Sequence, residues 1–393
     1  MNRRGAVPSR RCVAGGRNAT EIWRRGQAST SRRSSLLILV LFPPTHPCPS
    51  EAIALRYSAP SPSRLLTAVL PLTLLIAILS GCQPPADRAD KAPAADGKRL
   101  QIAMIPKGTT HIFWRSVHFG ALQAAEELGV DVQWRGPQTE SDRDEQISVV
   151  QGFVNKQVDG ICLAPLDADA LVGPVKEAGR GGVPVVIFDS GLNAESDSFA
   201  SYVATDNFRG GELAAKAMGE KLGGQGNVVM LRYNQGSEST QQREEGFLKG
   251  LTEFPGIKVL SSDQYAGTTT ESSMDKAQQI LNRYGDEIDG IFAVCEPNAE
   301  GVLRALEDRK LAGKVAFVGF DSSDAMAEAL RAGKLSAIVL QDPVQMGYLA
   351  IQSIVKKLRG EPVEPFVDTG VFVATPENID SEQIQKLLNP AKA

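Results

Sequence analysis

The chain has 393 residues, with 42 Lys and Arg against 46 Asp and Glu and a formal net charge of -4. That length holds two domains at roughly 100 to 200 residues each with some to spare, and the mild acidity excludes steering to nucleic acid by the overall field. The five Cys and three His stand at none of the spacings of a zinc site.

The chain opens on residues 1–33, rich in Arg and Ser and almost free of acids. Clustered Arg is also the footprint of a nucleic-acid-binding arm, but no aromatic interleaving or recognition helix accompanies it. Farther on, Arg64 precedes an apolar run from Leu65 to Leu79 that contains Pro71 and ends in Leu79-Ser80-Gly81-Cys82. A charged flank, a short apolar core and small residues at a cut make an export signal; a short transmembrane anchor is the alternative, disfavoured by the length and by Pro71. The ending resembles the processing site of bacterial lipoproteins, and the resemblance implies an exported protein tethered through a lipidated Cys82. Residues 1–81 then form leader and signal peptide, and the stretch to about Leu55 is expected to reflect a start assigned too far upstream. Residues 82–99, built from Pro, Ala, Asp and Lys without apolar periodicity, read as a solvated tether.

From Leu100 short β-rich runs alternate with segments at helical spacing, the pattern of parallel sheets flanked by helices. Expected strands begin at Leu100, Val130, Gly160 and Val183, with helices at about 113–128, 144–157 and 168–178 between them. The pattern then repeats, with strands from Gly226, Ile257, Gly290 and Lys314, so the fold class is α/β, two similar three-layer lobes with parallel sheets. Asn207 reads as the N-cap of one second-lobe helix, and Ser239 and Thr240 as caps of another. Cys12 and Cys48 fall in the leader, while Cys162 and Cys295 lie in apolar runs of different lobes and are expected as small buried hydrophobes, without a disulfide. No GxGxxG follows a strand and no GxxxxGK[ST] occurs, so nucleotide cofactors lose their usual signatures.

Ligands of open α/β sheets bind beyond the carboxyl ends of strands. The residues there are Lys107, Asp189, Cys295, Asp321 and Gln341, drawn from both lobes, as a cleft that closes around a ligand requires. An ionised Asp accepts from two hydroxyls at once, which favours Asp189 and Asp321 as ligand contacts over simple caps. Phe113 and Trp114 offer apolar faces to sugar C–H groups or pack within a lobe. His111 is equally a ligand contact or an ordinary loop histidine.

The stretches IAMIPKGTTHIFW from Ile102, LAPLDADAL from Leu163, PVVIFDSG from Pro184, VATDNFRGG from Val203, STQQREEGF from Ser239, VGFDSSD from Val318 and LQDPVQMG from Leu340 resemble the ribose- and allose-binding periplasmic proteins. The resemblance runs from Leu100 to about Val373. It implies a type I periplasmic binding protein of an ABC importer, a monomer that captures a monosaccharide by hinge closure and hands it to the permease, without cofactor or metal, catalytic residue or nucleic-acid partner. Three hinge crossings are implied near Thr205, Gln341 to Asp342 and Asp368 to Gly370, giving a first lobe of 100–205 plus 343–367 and a second of 206–341 plus 370–393. The implied sugar contacts are Lys107, His111, Phe113, Trp114, Asp189, Asp321 and Gln341. Lys107 looks more like the allose-binding branch. Three positions depart from the pattern: Ser190 and Gln241 stand where Arg contacts are usual, and Cys295 where Asn is usual. Losing two guanidinium forks removes bidentate contacts to hydroxyls, leaving Glu296, Asn298 or Arg243 to compensate. Rival readings are a sugar-sensing receptor feeding a chemoreceptor or kinase, a repressor effector core, which needs an N-terminal helix-turn-helix, and a glycosidase using the Asp189 and Asp321 carboxylates.

Overall fold

The computed structural model describes residues 99–388. The leader, the signal peptide, Cys82 and the tether up to residue 98 lie outside the described residues. In chain order the first half runs β1 (Gln101–Ile105), α1 (Ile112–Leu128), β2 (Asp131–Trp134), α2 (Arg143–Asn155), β3 (Gly160–Leu163), α3 (Val172–Arg180), β4 (Val185–Phe188) and β5 (Ser201–Ala204). The second half repeats it: α4 (Asn207–Lys221), β6 (Gln225–Arg232), α5 (Glu238–Leu251), β7 (Gly256–Tyr265), α6 (Thr270–Tyr284), β8 (Gly290–Ala293), α7 (Glu296–Asp308), β9 (Ala316–Phe320), α8 (Asp324–Arg331) and β10 (Ala337–Leu340). The chain closes with α9 (Pro343–Leu358), β11 (Phe366–Asp368), β12 (Phe372–Ala374) and α10 (Glu382–Leu388).

Two six-stranded sheets result, ordered β11-β5-β4-β3-β1-β2 and β12-β10-β9-β8-β6-β7. Their central strands β3, β4, β8, β9 and β10 are buried at every residue, the continuous apolar run of a sheet covered on both faces. Alternation along β1 sends Ile102 and Met104 to the core under α1 and α9, and Ala103 and Ile105 to the core under α2 and α3. The second sheet is covered likewise by α4 and α5 on one face and by α6, α7, α8 and α10 on the other. The pairs are parallel except that β12 runs antiparallel to β10, a departure from the all-parallel expectation. It arises because the chain returns directly from β11 across to the other sheet, with no crossover helix between.

The chain passes between sheets three times: from β5 to α4, from β10 to α9, and from β11 to β12. After the second passage α9 joins the first sheet, packing against α1, β3, β4 and β5.

Local caps differ from the sequence expectation. Asp206, not Asn207, caps α4, its carboxylate accepting from Arg209 N at 2.9 Å. Asn207 is one residue inside and buried. Ser237 is the N-cap residue of α5, so Ser239 and Thr240 sit within its first turn. That helix lies close on α4: a Cβ at Gly246 would stand 2.0 Å from Phe208 O, and one at Gly211 2.1 Å from Arg243 O. Only glycine permits this approach, and it fixes the height at which α5 presents Arg243. Cys162 and Cys295 are free and buried. Burial drives both thiols up, which keeps them neutral.

Candidate ligand site between the lobes

The carboxyl ends of both sheets face one another across a cleft lined by Lys107, His111, Phe113, Trp114 and Asp189 of the first lobe and Cys295, Asp321 and Gln341 of the second. Asp189 and Asp321 occupy matching places just after β4 and β9, and both adopt left-handed backbone angles, φ 63° and 64°. Such conformations are costly for a residue with a Cβ. Each is held by the sheet, the Asp189 amide donating to Val203 O at 3.0 Å and the Asp321 amide to Val339 O at 2.8 Å. The turn aims both carboxylates into the cleft.

Each carboxylate has a buried cation. Lys107 Nζ lies 3.1 Å from Asp189 Oδ2 and also donates across the cleft to Ser239 Oγ at 2.9 Å and Ser237 Oγ at 3.3 Å. Arg243 approaches Asp321 Oδ2 at 3.6 Å, donates to Asn207 Oδ1 and Val294 O, and stacks over Phe320 with its guanidinium carbon 3.9 Å from the ring centre. Burial pushes the Asp321 carboxyl up, and Arg243 and the Gln341 amide oppose that shift. Gln341 donates to Asp321 Oδ1 at 2.7 Å, which fixes its amide orientation and leaves its Oε1 buried without a partner.

Glu140 organises the first lobe's aromatic wall. Its Oε1 accepts from Trp114 Nε1 at 2.7 Å and lies 3.0 Å from His111 Nδ1. Burial alone would raise its pKa; the bond to His111, the charges of His111 and Lys107 and the bond from Trp114 prevail and hold it at about 2. For His111, burial opposes the charge, but Glu140 outweighs it, with Glu296 and Asp321 adding, so its pKa is raised. Trp114 meets Phe113 and Phe188 edge to face, ring centres 5.0 and 6.3 Å apart, so it packs the lobe core as well as lining the cleft. Glu296 is buried at the opposite wall, its carboxyl pushed up to about 7 by burial, with Asp321 adding and His111 and two backbone N–H groups opposing.

Two expected contacts fall elsewhere. Gln241 is exposed and donates to Glu245 Oε1 at 3.0 Å, because the α5 register turns Ser239, Thr240 and Arg243 inward and position 241 outward. Ser190 is fully buried beside the cleft, its hydroxyl accepting from Ser239 N at 3.1 Å. Of the three residues considered as substitutes, Arg243 and Glu296 line the cleft, whereas Asn298 turns away to Ser273 Oγ at 2.7 Å. Glu140 and Tyr233 were not expected. Glu140 precedes α2 in a loop where no strand-end rule points to it.

The periplasmic binding protein domain model matches residues 102–362 of this chain. The chain belongs to the periplasmic binding protein family. Among its relatives, the ribose import binding protein of Haemophilus influenzae is 28% identical over 263 residues, covering 67% of this chain and 87% of that one. A solved carbohydrate transporter solute-binding protein of Agrobacterium radiobacter, in complex with D-arabinose, superposes with a TM-score of 0.71 at 34% identity, over 74% of this chain and 99% of that one. An ABC transporter solute-binding protein of Agrobacterium vitis with bound D-fucose gives 0.71 at 36%, over 73% and 99%. This periplasmic binding protein thus shares its two-lobed α/β architecture with proteins named for binding solutes, not for catalysis.

Proposed function

We propose that the chain captures one neutral monosaccharide or related polyol in the cleft, closes around it, and delivers it to the membrane subunits of an ABC importer while tethered through lipidated Cys82. The observation that carries the reading is the buried, unpartnered Gln341 Oε1 beside the Asp321 carboxylate. A buried acceptor without a donor costs about 1–3 kcal/mol, and a hydroxyl-rich ligand supplies donors to it and to both Asp carboxylates. The D-arabinose and D-fucose bound by the two solved relatives support the same class. The ion pairs support a neutral ligand: Lys107 and Arg243 are each committed to a carboxylate and His111 is engaged with Glu140, so these cations are already matched. A sugar acid would have to displace one of those carboxylates. Contacts to the sugar are assigned to Asp189, Asp321 and Gln341 as acceptors, Lys107 and Arg243 as donors, and Phe113 as the apolar face. Capture requires no bond chemistry, and a monomer suffices because both walls of the cleft come from one chain.

A thermal-shift screen of the full chain against pentoses, hexoses, polyols, sugar acids and amino acids tests this. A ligand that binds only the native state raises Tm by mass action. A rise with a neutral sugar or polyol and none with sugar acids is expected; a response only to amino acids or to sugar acids would overturn the assignment.

A further inference from the structure

Helix α1 starts without a cap of its own. Its N-cap residue His111 makes no side-chain bond to the first turn, being engaged with Glu140, and the first turn holds no acidic residue. Helix α5 also lacks a cap from its N-cap residue, since Ser237 makes no such bond, although Glu238 stands in its first turn. The first N–H groups of a helix have no partner inside it. In both helices the opposite lobe supplies one. Glu296 of α7 accepts from Phe113 N at 3.2 Å and Ile112 N at 3.4 Å, the first amides of α1. Ser190, after β4, accepts with its hydroxyl from Ser239 N in the first turn of α5. Of the other helices, α2, α4, α6, α8 and α9 are capped by side chains immediately before them, while α3 and α7 have no side-chain cap and none from the opposite lobe.

We propose that Glu296 and Ser190 are reciprocal latch residues: each caps, across the cleft, a helix of the other lobe that lacks its own cap, so that closure gains hydrogen bonds unavailable to the open form. The caps connect protein to protein, so they strengthen the closed form equally for every ligand. They are positioning residues, and they tie closure to the segment that carries Phe113. Their link to affinity rests on the sugar-capture reading; the caps themselves do not.

The test uses the full chain at pH 8, with Glu296→Ala, Glu296→Gln and Ser190→Ala. Hydrogen exchange is followed at the amides of Ile112, Phe113 and Ser239, and sugar dissociation by the change in intrinsic tryptophan fluorescence. Losing an N-cap corresponds to roughly a fivefold to tenfold change. Glu296→Ala should speed exchange at Ile112 and Phe113 by about that factor, and raise the dissociation rate by a similar factor for every sugar that binds. Glu296→Gln, which keeps an acceptor and should leave the fold intact, should fall between. Ser190→Ala should speed exchange at Ser239 and, because both caps form in the same closure, also at the α1 amides; an effect confined to Ser239 would overturn the shared latch. Unchanged exchange in Glu296→Ala and Glu296→Gln would overturn the proposal, as would losses of affinity that differ from sugar to sugar, the mark of a direct ligand contact. If no sugar binds the parent chain yet the exchange effects appear, the latch stands and the sugar reading fails.

Discussion

Asp189 and Asp321 hold matching strand ends and the same left-handed backbone, yet their cations are placed differently. Lys107 reaches from the first lobe to Ser237 and Ser239 of the second, whereas every partner of Arg243 lies in its own lobe. One ion pair therefore belongs to the seam between lobes, and the other to the interior of one lobe. A repeated fold fixes where a carboxylate is presented but not which part of the energy landscape its partner serves.

This difference is open to direct attack. Removing Asp321 should have the largest effect. Asp321→Ala takes the carboxylate from the Arg243 guanidinium, 3% exposed, and the acceptor from both the Gln341 amide and the Glu296 N–H, and breaking a buried pair in this way costs about 3–5 kcal/mol; chemical denaturation should show that loss along with abolished sugar binding. Asp189→Ala should cost less stability, about 2–3 kcal/mol, because Lys107 keeps two Ser hydroxyls as partners and no buried N–H loses its acceptor along with it. Its effect on binding should be as severe, so equal losses of stability in the two variants would break the contrast.

Glu140→Gln should weaken sugar binding by about tenfold, a change of about 1.4 kcal/mol, by replacing the carboxylate that His111 and Trp114 share with a neutral amide. Its pH signature is distinct. His111, raised above 6.5, contributes stability that is complete below that value and fades as pH rises through its folded pKa. Glu140, lowered from 4.5 to about 2, contributes stability that is complete above 4.5 and fades as pH falls toward 2. The pair therefore stabilises most between about 4.5 and 6.5, and Glu140→Gln should flatten that maximum in a profile of Tm against pH. The smallest effect belongs to Gln241→Ala. An exposed side chain bonded only to Glu245 should shift neither affinity nor stability by more than about 0.5 kcal/mol, measurable by calorimetry and denaturation.

Much of the fold was legible because its signals are local. Strands such as β4 and β9 are short continuous apolar runs, and the residue after each is where a parallel sheet exposes its ligands, so Asp189, Asp321 and Lys107 could be named from position alone. Cys295 and Gln341 followed from the same rule. The cap of α4 was misplaced by one residue because Asp206 and Asn207 are both good cap residues and sequence periodicity does not fix a helix start so closely. Gln241 was placed in the cleft by resemblance to a family pattern, and the helix register put Arg243 there instead.

By itself the sequence determined the alternation of strands and helices, the repetition of the pattern and the chemical kind of residue at each strand end, since these depend on side-chain period and residue type along the chain. Only the tertiary structure decided the left-handed turns at Asp189 and Asp321, the partnership of Glu140 with His111 and Trp114, the unpartnered Gln341 Oε1, and the capping of α1 and α5 from opposite lobes. Those depend on distances between segments far apart in the chain, which are set when two sheets and their helices pack and the lobes meet, and no local pattern encodes them.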